Sequence, residues 1–183
     1  MTGACEHTET ELSPEEAFAV LEPYFVAVRE VFVDAGGPVG SVVLEVAPWV
    51  HDGPRHFAAT AESGRTIVCA PELAQLPEET VLAILSHEFG HAEDFSTPGR
   101  YFVDDDGELL SHIDENAAAL EQKMGRQARI ARMKRWGSRD HDMVERTADA
   151  IAKLRVGREI GYAGPCSLQS FSRGVRPRPR GLV

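Results

Sequence analysis

Thiols are scarce in this 183-residue chain. Its three cysteines, Cys5, Cys69 and Cys166, are odd in number, widely spaced and form no CxxC pair, which excludes a disulfide framework and a thiolate zinc site. They read as free thiols. Long apolar runs are missing too: no stretch approaches the roughly 18–20 residues needed to cross a bilayer. The N-terminal stretch MTGACEHTETE is acidic and lacks the basic and apolar regions of a secretory signal, so the expected location is cytoplasmic. Positive charge is also in short supply. Lys and Arg total 19 against 29 Asp and Glu, a formal net charge of -10, which argues against broad contact with nucleic acid or an anionic membrane.

What remains is an ordinary globular composition, 43% apolar and 26% charged, in a length suited to one domain. That domain is expected over residues 1–171, followed by the Arg/Pro-rich stretch SRGVRPRPRGLV, residues 172–183, which cannot build a core and reads as a flexible tail. Ser13, Pro14 and Glu16 form a helix-start signature, and Phe18, Leu21, Phe25, Val28 and Phe32 continue it as an apolar stripe. Pro23 is an expected kink, and Gly36-Gly37-Pro38 an expected stop. Ser41 to Ala47 reads as a buried strand, and Phe57–Glu62 with Arg65–Cys69 as a hairpin turning at Ser63-Gly64. A second helix starts near Pro77 and carries Val81, Ile84, Leu85 and Phe89 at helical spacing. STPGRYFVDDDGE reads as an acidic loop or short hairpin; its DDDG lacks the register of a calcium loop. A long helix is expected from Leu109 to about Arg135, and a last one from about Asp140, with Met143, Val144, Thr147, Ile151 and Leu154 inward and Gly157 or Gly161 at its end. The fold class is therefore α+β: a small N-terminal sheet of about three strands packed on a central helix, then a helical C-terminal half.

The central helix ends in HEFGH, residues 87–91. Residues four apart on a helix lie one above the other, so His87 and His91 can both ligate one ion, with Glu88 beside them as a general base for a metal-activated water. Catalytic zinc usually takes a third protein ligand. A histidine six residues after His91 would extend the motif, but Thr97 occupies that position. Glu145 in VERTADAIA is the preferred third ligand; Asp149, one turn later, could hold the free ring nitrogen of a ligating histidine. Asp114, Glu115 and Glu121 compete with Glu145. A hydrolase also needs a donor for the developing oxyanion, for which His141 and Tyr162, along with His112 and Tyr101, are candidates.

HEFGH with a downstream ERTAD resembles the gluzincin zinc peptidases, whose pattern is HExxH followed by ExxxD. More narrowly, SRDHDMVERTADAIAKLRVGREIGYAGP is similar to the family of prenyl-protein endoproteases and bacterial heat-shock membrane proteases, where SR, ExxAD and GY follow in that order. The resemblance spans about residues 66–165. It implies a zincin-like fold, a Zn2+ cofactor held by His87, His91 and Glu145, Glu88 as base, Asp149 behind the metal, and a peptide or protein substrate. The lack of membrane helices points to small soluble, minigluzincin-like members. In zincins a substrate adds as a strand to the sheet edge; here that edge is expected around Ala58–Ala61 or Thr66–Cys69. The alternative is a catalytically silent zincin-like domain acting as a protein-binding or regulatory module.

Overall fold

The computed structural model describes residues 11–48, 57–61, 63–103, 108–112, 134, 137–139, 141–157, 161–162 and 168–169. Helix α1 spans Pro14–Asp34 and starts as its sequence dictates. The Ser13 hydroxyl accepts from the Glu16 backbone N–H at 3.2 Å, while the Glu16 carboxylate accepts from the Ser13 N–H at 2.9 Å, so two orphan donors of the first turn are satisfied reciprocally. The helix runs through Pro23 and buries Ala17, Leu21, Phe25, Val28 and Phe32. Ala17 takes the fully buried place at the first turn, with Phe18 only half-buried.

Strands β1 (Val43–Val46), β2 (Ala58–Thr60) and β3 (Thr66–Cys69) form a mixed sheet in the order β1-β3-β2. β1 runs parallel to β3, with Val43 opposite Thr66 and Val46 opposite Cys69. β2 returns antiparallel, with Ala58 opposite Cys69 and Thr60 opposite Ile67. The expected hairpin is therefore present. Its strands have unequal roles, however, because β3 is central and β2 is an edge. Thr66–Cys69 is flanked on both sides and has no free edge for a substrate strand, which leaves β2 as the segment with that geometry.

A short 3-10 helix, Pro71–Gln75, leads into α2, Glu78–Ser96, the element around which the others gather. Its aromatic anchor is Phe89, with ring centroids 5.0 Å from Phe25 and 5.4 Å from Phe32. Leu21, Val28, Ile67, Cys69, Val81, Leu85, Ala92 and Ile151 complete the core around it. At Gly64 the hairpin turn takes a positive φ of 67° and passes so close to the end of α2 that a Cβ would stand 2.7 Å from the Ala92 carbonyl oxygen.

After α2 the chain departs from expectation. Leu109–His112 is a strand, β5, paired antiparallel with β4 (Tyr101–Val103), where a helix start was expected. The alanine-rich run that follows gave this stretch its helical reading, but the backbone groups of β4 supply ladder partners that local propensity ignores. The rest of the expected helix lies outside the described residues except Lys134, which is helical.

The last described helix, α3, spans His141–Val156, and Gly157 closes it with a φ of 65°. Its buried positions are Thr147, Ala148, Ala150, Ile151 and Ala152, whereas Leu154, expected inward, is exposed and Met143 and Val144 are half-buried. Small residues face α2 because the two helices approach too closely for leucine. Strands β6 (Gly161–Tyr162) and β7 (Leu168–Gln169) pair with each other. Among the described residues no helix is long and apolar enough to cross a membrane.

Two fully buried carboxylates on α2 tie the layers together. Glu93 receives Arg155 at 2.5 and 3.0 Å and also the Tyr101 hydroxyl, and Arg155 continues to the Ala35 carbonyl at the end of α1. Asp94 receives Arg139 at 2.6 Å, and Arg139 also donates to the Thr147 hydroxyl at 3.0 Å. Breaking a buried pair from one side strands the other charge. Arg155→Met is expected to lower stability by about 3–5 kcal/mol, read from urea melts of the metal-free protein. A loss below 1 kcal/mol would show that Glu93 finds another partner.

Candidate metal centre

Five consecutive residues of α2 face three different neighbours, because each is turned about 100° from the last. Phe89 enters the core against α1. Glu88 faces β2, where Thr60 lies 2.8 Å from its carboxylate. Gly90 faces α3: a Cβ built there would stand 2.2 Å from the Ala148 carbonyl oxygen, so no other residue allows this approach. His87 and His91 stand on the sector beside Gly90, and the close crossing brings Glu145 and Asp149 of α3 against them.

His87 Nδ1 lies 2.6 Å from Asp149 Oδ1 and Nε2 lies 3.0 Å from Glu145 Oε2. His91 Nε2 is 3.0 Å from His87 Nε2 and 3.4 Å from Glu145 Oε1. An ionised Asp149 only accepts, so the His87 Nδ1 carries its hydrogen. Two imidazole lone pairs and a carboxylate then converge on the other side, an arrangement that repels itself unless a proton or a cation sits among the three. Without a metal, the proton takes that place. Burial disfavours a charged His87 ring, but hydrogen bonds to Asp149 and Glu145 and the charge of Glu88 outweigh it and raise the pKa to about 10. Burial likewise opposes ionisation of Glu145, yet hydrogen bonds and charge from His87 and His91 hold its carboxyl well below the usual range. These residues provide mutual stabilisation through hydrogen while the centre holds no ion.

The same atoms fit zinc. His87, His91 and Glu145 offer two imidazole nitrogens and one carboxylate oxygen within 4.8 Å of one another, the donor set of a catalytic zinc with an open position. Asp149 stands behind His87, where a carboxylate fixes the ring's tautomer and raises its basicity. His91 Nδ1 is buried with no hydrogen-bond partner among the described residues, a cost of roughly 1–3 kcal/mol that the interactions of Nε2 must offset. Cys69 plays no part as a thiolate, since burial and the nearby Glu88 charge push its thiol up to about 12.

The structure thus brings together His87, Glu88, His91, Glu145 and Asp149. Glu145 and Asp149 both turn to the histidines of α2, and Lys153, one turn beyond Asp149, reaches Glu108 at 3.2 Å. Asp114, Glu115 and Glu121 lie outside the described residues. His141 sits at the start of α3 with its ring 79% exposed and Nδ1 3.6 Å from Glu145 Oε1, so it borders the centre. Tyr162 and His112 fall in β6 and β5, and their side chains are outside the described residues. Tyr101 is corrected outright: its hydroxyl is buried on Glu93 and Arg155, and burial with the Glu93 charge pushes its pKa up, so it cannot serve an oxyanion in the cleft.

Sequence reading missed Thr60, Gly90, Glu93, Asp94, Arg139 and Arg155. One signal was available: Glu93 and Asp94 lie just past HEFGH, after Ala92, on a helix with an apolar stripe, and buried carboxylates require cationic partners. Comparison with family models, curated proteins and solved structures yields no significant match.

Gly90→Ala decides between two opposed effects. Helix propensity alone would make it stabilising by about 1 kcal/mol. The clash with the Ala148 backbone reverses the sign, and a net loss of about 1–3 kcal/mol is expected in denaturant titrations. Zinc must also displace the proton on His87. At neutral pH its uptake is expected to release about one proton, with affinity rising with pH until about 10 and levelling above it; calorimetry in buffers of different ionisation enthalpy reads the count.

Proposed function

We propose that this chain is a zinc-dependent peptidase of the gluzincin type. The observation that carries the reading is the convergence of His87, His91 and Glu145, with Asp149 behind His87 and the Glu88 charge near enough to act on the His87 ring. A zinc ion held there would supply a Lewis acid that acidifies water and polarises a peptide carbonyl. Glu88 takes a proton from the attacking water and returns it to the leaving amine. Asp149 keeps the His87 ring oriented, with Nε2 turned towards the centre. Among the described residues no strand pairs with the outer edge of β2, and that edge is suited to receive a peptide by backbone hydrogen bonding, next to the helix that bears Glu88. Buried, partly desolvated surroundings strengthen these electrostatic effects, since His91 and Glu88 are each only 7% exposed.

Three proteins test this: the parent, Glu145→Ala and Glu88→Gln. The parent is expected to hold one zinc and cleave peptides. Glu145→Ala should lose the metal, and Glu88→Gln should keep it while turnover falls by about 100-fold or more. Metal analysis and hydrolysis of a peptide library are the measurements. A parent that neither contains nor takes up zinc sinks the reading, as does undiminished cleavage by Glu88→Gln.

A further inference from the structure

The Glu88 carboxyl is gripped by a residue from a different element. Thr60, on edge strand β2, places its hydroxyl oxygen 2.8 Å from Glu88 Oε2 and 2.8 Å from the Glu88 backbone carbonyl oxygen. We propose that Thr60 is a positioning residue for the general base, tying the Glu88 carboxyl to strand β2. The inference rests on Glu88 acting as that base.

A threonine hydroxyl has one hydrogen to donate. Here that donor lies within reach of both the side-chain Oε2 and the main-chain carbonyl oxygen of Glu88, each at 2.8 Å, so the carboxyl is tied to strand β2 through Oε2 and Thr60 takes no part in the proton transfer itself. A base that must accept a proton from water and return it to an amine has to stay in place, because a displacement of about 1 Å costs on the order of 100-fold in rate.

The placement has a second consequence. β2 is an edge of the sheet, and a peptide added to it would take its register from the three-residue strand that carries Thr60. Substrate alignment and base alignment then share one strand.

The experiment compares Thr60→Val, which keeps the branched shape and removes the hydroxyl, with Thr60→Ser, which keeps the hydroxyl. Both are studied as full-length, zinc-loaded protein, with crystal structures and metal content measured beside kcat and KM. Thr60→Val is expected to lower kcat about 10- to 100-fold, with KM and zinc content unchanged and the Glu88 carboxyl displaced. Thr60→Ser should stay within about 3-fold of the parent, with Glu88 in place. If the valine variant does not fold, Thr60→Ala makes the same comparison. Parent-like kcat in Thr60→Val, an unmoved Glu88 carboxyl, or serine as impaired as valine would each overturn the proposal. A parent without peptidase activity would remove the functional reading on its own; the position of Glu88 in the two variants still decides whether Thr60 holds it.

Discussion

The close crossing of α2 and α3 at Gly90 is the constraint on which the rest of the structure depends. The Ala148 carbonyl occupies the space a side chain at position 90 would fill. Only at that separation can two short carboxylates on α3, Glu145 and Asp149, reach His87 on α2 at 3.0 and 2.6 Å. The crossing also accounts for the alanine at position 148, whose backbone faces Gly90. The glycine inside HEFGH is thus a packing residue, and the chemistry of its neighbours follows from it.

Backbone proximity alone would leave the angle and height of α3 undetermined. Two ion pairs supply those restraints: Arg139, just before the helix, binds Asp94, and Arg155, in its last turn, binds Glu93. Both carboxylates are fully buried, so each pair is costly to break from one side, and α3 is clamped near its two ends to consecutive residues of α2. Arg155 extends the clamp to the end of α1 and to Tyr101 on β4. Residues far from any chemistry therefore set where Glu145 falls relative to His87 and His91.

Much of this was legible from local rules. The capping box at Ser13, the apolar stripe of α1, the Ser63-Gly64 hairpin and the helix under HEFGH each arise from interactions within a few residues, where spacing maps directly onto geometry. The expectation for Leu109 failed because strand pairing depends on a partner elsewhere, and β4 supplied one. Tyr101 failed as an oxyanion donor for a similar reason: an aromatic hydroxyl looks available in sequence until Glu93 and Arg155, 8 and 54 residues away, claim it.

The sequence by itself determined which atoms could do chemistry. The i,i+4 pair His87 and His91 on a helix, the carboxylate of Glu88 beside them, and Glu145 with Asp149 one turn apart follow from helical periodicity alone. Only the tertiary structure decided that these two helix faces meet, that β2 is an edge while β3 is not, and that Thr60 reaches Glu88. The division has a physical cause. Helical spacing is set by backbone geometry that every residue shares, whereas the meeting of α2, α3 and β2 depends on one missing side chain at Gly90 and on buried charges paired across 45 to 62 residues of sequence.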